Sequence, residues 1–98
     1  MKRLGKRYEV SVTRKDIKQG KRARNVKCPV AIALRRIFPG QRTSVGWEER
    51  KGKLYGLIEI GAGKTALSGY IPHRAAQFVL DFDMYQTVKP FKFRVHLM

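Results

Sequence analysis

Acidic side chains are scarce in this 98-residue chain: seven, against 22 lysines and arginines, which leaves a formal net charge of +15. A deficit of that size excludes an electrically balanced surface and makes polyanions the natural partners. Cysteine occurs once, at Cys28, so no disulfide can form within the chain and no Cys-x-x-Cys metal knuckle exists. Histidine occurs only at His73 and His96, too far apart for a paired-ligand spacing. No metal and no cofactor is expected. No apolar run reaches the roughly 18 residues of a membrane span, and the basic start 1–6 is not followed by the apolar region of a signal peptide. The chain reads as a soluble cytoplasmic protein with no membrane contact.

What is present makes one folded domain over residues 1–98. Hydrophobic residues reach 43%, enough for a core, and the length leaves no room for a second one. The charge is uneven. Residues 1–27 hold eleven basic side chains against Glu9 and Asp16, so +9 of the +15 lies in the first quarter. Residues 1–6 read as a mobile basic end. Tyr8, Val10 and Val12 then alternate with polar neighbours, the pattern of a half-buried strand. Thr13 suits the cap of a short helix through Asp16 and Gln19, which Gly20 stops. Residues 20–27 have no periodicity and carry Lys21, Arg22, Arg24 and Lys27, the signature of an exposed basic loop.

Behind Pro29, residues Val30, Ala33, Leu34 and Ile37 recur at helical spacing, and Pro39-Gly40 ends that helix. Three short runs rich in β-branched or aromatic residues follow at 43–49, 54–60 and 65–71. They are divided by Arg50-Lys51-Gly52-Lys53 and Gly61-Ala62-Gly63-Lys64, which read as hairpin turns. Pro72 opens a further helix with Ala75, Phe78, Val79 and Phe82 on one face, ending near Asp81 and Asp83. Phe91, Phe93, Val95 and Leu97 alternate strictly with Lys92, Arg94 and His96, so the last strand is apolar inward and basic outward. The fold class is α+β: an antiparallel sheet of four to five strands with two helices packed on one face.

The basic segment carries the main functional expectation. Arg14, Lys15, Lys18, Lys21, Arg22, Arg24 and Lys27 are the residue types that neutralise phosphates and release counterions, with Arg35, Arg36, Lys92 and Arg94 flanking them. A solvated charge run would look similar, but the excess is large and recurs on the last strand. Trp47, Tyr55, Tyr70 and Tyr85 are the rings that could stack on bases. His73 and Arg74 open a helix, where free N–H groups favour phosphate, and with Lys64 they make a minor anion site. Gly63-Lys64-Thr65 is not a nucleotide-binding loop, because the required earlier glycine is replaced by Ile58. Glu49-Arg50-Lys51 matches part of a nuclease motif but lacks the upstream acid, and Asp81 and Asp83 point apart on a helix. An enzyme is not expected.

The order helix, three strands, helix from about 29 to 83 resembles the double-stranded RNA-binding domain in topology. Its lysine-rich motif reads Pro72-His73-Arg74-Ala75-Ala76 here. A second likeness covers more of the chain: Asp16-Ile17 to Gly20, Cys28-Pro29-Val30-Ala31 to Leu34-Arg35, Ile71-Pro72 with Ala76 and Phe82-Asp83, and Val88-Lys89-Pro90-Phe91-Lys92-Phe93. These phrases resemble small uncharacterised proteins of phages and prophages, which implies action in a host cytoplasm. The function expected is a basic module that grips RNA or DNA through phosphate. The alternative is a phage-type interaction protein that inhibits a host nucleic-acid-guided defence complex, with a host ribonucleoprotein or protein complex as partner.

Overall fold

The computed structural model describes residues 6–98 apart from Ala23 and Asn25, so most of the expected basic end at 1–6 lies outside the described residues. The elements run β1 (Lys6–Val12), α1 (Arg14–Gln19), α2 (Pro29–Ile37), β2 (Thr43–Arg50), β3 (Lys53–Ile60), β4 (Leu67–Ile71), α3 (His73–Asp83) and β5 (Phe91–Leu97). The α+β class and the order of elements are as the periodicity predicts. Two points differ. The short helix expected after Thr13 forms as α1 and brings the helices to three where two were expected to pack on the sheet, and the strands form two antiparallel sheets, β1–β5 and β2–β3–β4, where one sheet was expected.

The two sheets nevertheless touch along β4 and β5. Ser68 and Met98 exchange backbone hydrogen bonds of 3.1 Å each way. Beyond that pair the strands crowd: a side chain at Gly69 would place its Cβ 2.4 Å from the His96 carbonyl oxygen. Only glycine fits there.

Apolar alternation explains which face is inside. Val10 and Val12 of β1 sit opposite Phe93 and Phe91 of β5, while Val45 faces Ile58 in the other sheet. These side chains meet the buried faces of α2 (Val30, Ala33, Leu34) and α3 (Ala75, Phe78, Val79) in one core. Helix α3 lies over β3 and β2; α2 touches both β1 and β2, the strands at the outer margins of the two sheets. The hairpin between β2 and β3 turns through Lys51 and Gly52, both with positive φ (49° and 77°), a conformation that favours glycine at the second position. Strand β4 starts at Leu67, two residues later than the alternation suggests. A 3-10 turn at Gly63–Thr65 takes up those residues, with the Ala66 N–H donating to the Gly63 carbonyl.

Candidate nucleic-acid interface

Asp16 fixes the start of the basic segment. Its N–H donates to Thr13 Oγ1 at 3.2 Å, and its Oδ2 accepts from the Thr13 N–H at 2.9 Å, a reciprocal cap on α1. Its Oδ1 accepts from Arg36 Nη2 at 2.5 Å, and Arg36 Nη1 reaches the Ser11 carbonyl at 3.2 Å. One arginine of α2 thus ties down both α1 and the end of β1. Asp16 is 1% exposed, so the single carboxylate of residues 14–27 is withdrawn from the surface.

Arg14, Lys15, Lys18, Lys21, Arg22, Arg24 and Lys27 are all exposed. The loop that carries four of them is shaped by its own backbone: the Lys21 N–H donates to the Lys27 carbonyl at 2.8 Å, and the Lys27 N–H to that of Arg24 at 3.0 Å. Arg35 anchors it from below, donating from Nη1 to the Val26 carbonyl at 2.5 Å and to Thr43 Oγ1 at 3.4 Å. Thr43, fully buried, in turn donates to the Ala31 carbonyl at 2.9 Å. Arg22 anchors the loop from the side, its guanidinium 4.8 Å from the Phe82 ring centre and 4.4 Å from that of Tyr85. Tyr85, the residue after the α3 cap Met84, holds a left-handed backbone (φ 63°), at a position where glycine is the usual choice. A cleft of about 330 Å³ lies beneath the loop, lined by Gln19, Lys21, Lys27, Ile32 and Arg35.

The other expected contacts divide. Arg35 and Arg36 spend their guanidinium groups on protein oxygens, so they position the interface more than they extend it. Lys92 and Arg94 are exposed on the outer face of β5, across from Ser11 and Glu9 of β1. They form a second basic patch, with Arg7 opposite His96. The minor anion site does not assemble. Lys64 precedes β4, whereas His73 and Arg74 follow it, so the five residues of that strand separate them by about 17 Å. Arg74 instead packs its guanidinium 5.8 Å from the Phe91 ring centre, in a cleft shared with Lys89 and Asp81.

The rings that sequence singles out come together in a way it does not reveal. A groove of about 1040 Å³ opens between the β2–β3 hairpin and α3, lined among others by Trp47, Leu54, Tyr55, Tyr70, Leu80 and Met84. Trp47 Nε1 donates to Asp83 Oδ2 at 3.3 Å, and Tyr55 and Tyr70 meet edge to face with centres 6.1 Å apart. The Arg50 guanidinium lies 5.9 Å from the Tyr55 ring centre and bonds Glu48 at 2.8 Å, which holds the Glu48 carboxyl below its ordinary range.

Cys28 is buried at the start of α2. Burial pushes its thiol above the ordinary value, and the charge of Asp83 adds to the rise, while N–H bonds from Ala31 and Val30 oppose it. Asp81 accepts from Gln77 and Asp83 from Trp47, so the two carboxylates face different neighbours. No three His, Cys, Asp or Glu side chains converge as a metal site among the described residues. No helix among the described residues is long and apolar enough to cross a membrane. The chain matches no protein family model, no curated protein and no solved structure.

Proposed function

We propose that the protein binds RNA or DNA by clamping phosphates with α1 and the 20–27 loop. One observation carries this reading. Seven exposed cations crowd residues 14–27, and the lone carboxylate among them is buried and bonded to Arg36. A charge run kept only for solubility has no need of a fixed shape. Among the described residues of this loop, Val26 is held by Arg35 from below and Arg22 by the Phe82–Tyr85 pair from the side, so two points of it are tied to the core without a ligand. Preorganisation of that kind lowers the entropy lost on binding. Lys21 and Lys27 flank the cleft above Arg35, where a phosphate oxygen would meet three cations. The phosphate grip is independent of base sequence. In the phage setting that the sequence likeness suggests, such a module acts on nucleic acid in the host cytoplasm.

Gel shifts on single- and double-stranded RNA and DNA at roughly 50 and 200 mM salt test the reading. With all seven cations engaged on duplex DNA, affinity falls by about 10³- to 10⁴-fold over that range. Reversing Lys21, Arg24 and Lys27 to glutamate weakens binding for every sequence and flattens the salt dependence. Unchanged affinity in the reversed loop removes the proposal, and a protein retained from host lysate after nuclease treatment then takes the place of nucleic acid.

A further inference from the structure

The geometry points to single-stranded nucleic acid as the ligand, with unpaired bases lodged in the groove between the β2–β3 hairpin and α3. This inference rests on the phosphate-binding reading above and adds the state of the strand. Five of the six exposed large hydrophobic side chains of the described residues are Trp47, Tyr55, Tyr70, Met84 and Tyr85. Four of them line the groove, and Tyr85 follows Met84 in the chain. Rings left 36% to 77% in water on a small, highly charged protein are an exposed apolar patch with a use.

What distinguishes nucleic acid from other occupants is the groove's continuity with the basic loop. Arg22 of that loop lies on the Tyr85 ring, and Trp47 holds Asp83, two residues before Tyr85. The path from the phosphate clamp to the rings is therefore formed by α3's last turn. Lys53 and His73 add basic groups at the far lining, Arg50 lies over Tyr55, and Glu49 is the acid that lines the groove with them. A duplex hides its base faces in its own stack. A single strand exposes them, and stacking on aromatic side chains accepts any base. The combination of clamp and ring-lined groove thus selects unpaired over paired strands, without reading sequence.

Trp47 is the sole tryptophan of the chain, so its emission reports on the groove directly. The full chain is titrated with an unstructured oligouridine, with an abasic strand of the same length, and with a duplex. Labelled-strand anisotropy and Trp47 fluorescence are read together. Single-stranded RNA is expected to bind at least about tenfold more tightly than the abasic strand and to quench Trp47. The Tyr55→Ala/Tyr70→Ala variant is expected to lose about ten- to hundredfold for the oligouridine only. Both rings are exposed, and circular dichroism of the variant checks that the fold is kept. Equal affinity for oligouridine and abasic strand, with Trp47 unquenched, overturns the groove while leaving the phosphate clamp standing, provided that the loop reversal still weakens both. An unchanged oligouridine affinity in the double tyrosine variant overturns it as well. Absence of binding to all three ligands sinks the clamp and the groove together.

Discussion

Asp16 shows how much a single side chain can organise when its neighbours leave it no solvent. It caps α1 and receives Arg36 from α2, yet Arg36 itself stays half in water, with 50% of its side chain exposed. Replacing Asp16 with alanine removes the cap, worth about 1 kcal/mol, and frees an arginine that water can largely resolvate. The expected loss is about 2–3 kcal/mol, below that of a fully buried pair broken on one side. Urea unfolding of Asp16→Ala measures it; a loss under about 0.5 kcal/mol, within the usual surface range, shows the latch to be idle. Cys28 makes a different kind of prediction. Burial raises its pKa in the folded state above the ordinary thiol value, about 9. The unfolded chain therefore releases this proton first, and stability falls as pH climbs through that value towards the folded pKa. Below the unfolded pKa the contribution is complete. Many groups titrate in that range, so the test is a difference: the stability of the wild type minus that of Cys28→Ala is expected to decline above about pH 9. A difference that stays flat to pH 10.5 contradicts it.

At the scale of elements, local periodicity carries most of the fold. Strand β5 appears at the predicted residues because seven alternating side chains leave no other solution, and α3 because Ala75, Phe78, Val79 and Phe82 share a face. Thr13 and Asp16 announce α1 through their capping spacing. What periodicity cannot carry is pairing between distant strands. Where the two sheets meet, Gly69 lies against the carbonyl of His96, residues 27 positions apart with no side chain on one side of the contact. For the same reason Arg35 and Arg36 read as ligand contacts in sequence, since their partners are the backbone oxygens of Val26 and Ser11. The groove is not legible in the sequence because its rings come from β2, β3 and β4, while α3 and Met84 supply the opposite wall. Gly69→Ala forces β4 and β5 apart and is expected to cost about 1–3 kcal/mol, as overpacking does. Hydrogen exchange at the Ser68 and Met98 amides, which bridge the sheets, accelerates with it. Arg35→Met keeps the aliphatic stem but drops the Val26 bond. Its expected mark is faster exchange at the Lys21 and Lys27 amides and affinity for nucleic acid lowered by about tenfold, since the loop must then be ordered on binding. Exchange unchanged from wild type would mean that the loop's own backbone bonds suffice.

For the whole molecule, the +15 charge acts in opposite senses on folding and on binding. The radius of gyration is 13.0 Å, comparable to the Debye length of about 10 Å at 0.1 M salt, so neighbouring cations are only partly screened from one another. Mutual repulsion among them opposes the folded state, and added salt relieves it. The same ions compete for the phosphates that the clamp holds. Thermal stability of the free protein is therefore expected to rise by a few degrees between roughly 20 and 200 mM sodium chloride, while affinity for nucleic acid falls steeply over the same interval. The two slopes separate a surface built for a polyanion from one whose charges are already paired internally. Arg36–Asp16 and Arg50–Glu48 are ion pairs at contact distance, whereas the seven cations of residues 14–27 are exposed at the surface. Melting curves recorded with and without oligonucleotide, at each salt, read both slopes in one experiment. Parallel slopes of the same sign would contradict the electrostatic account of the molecule.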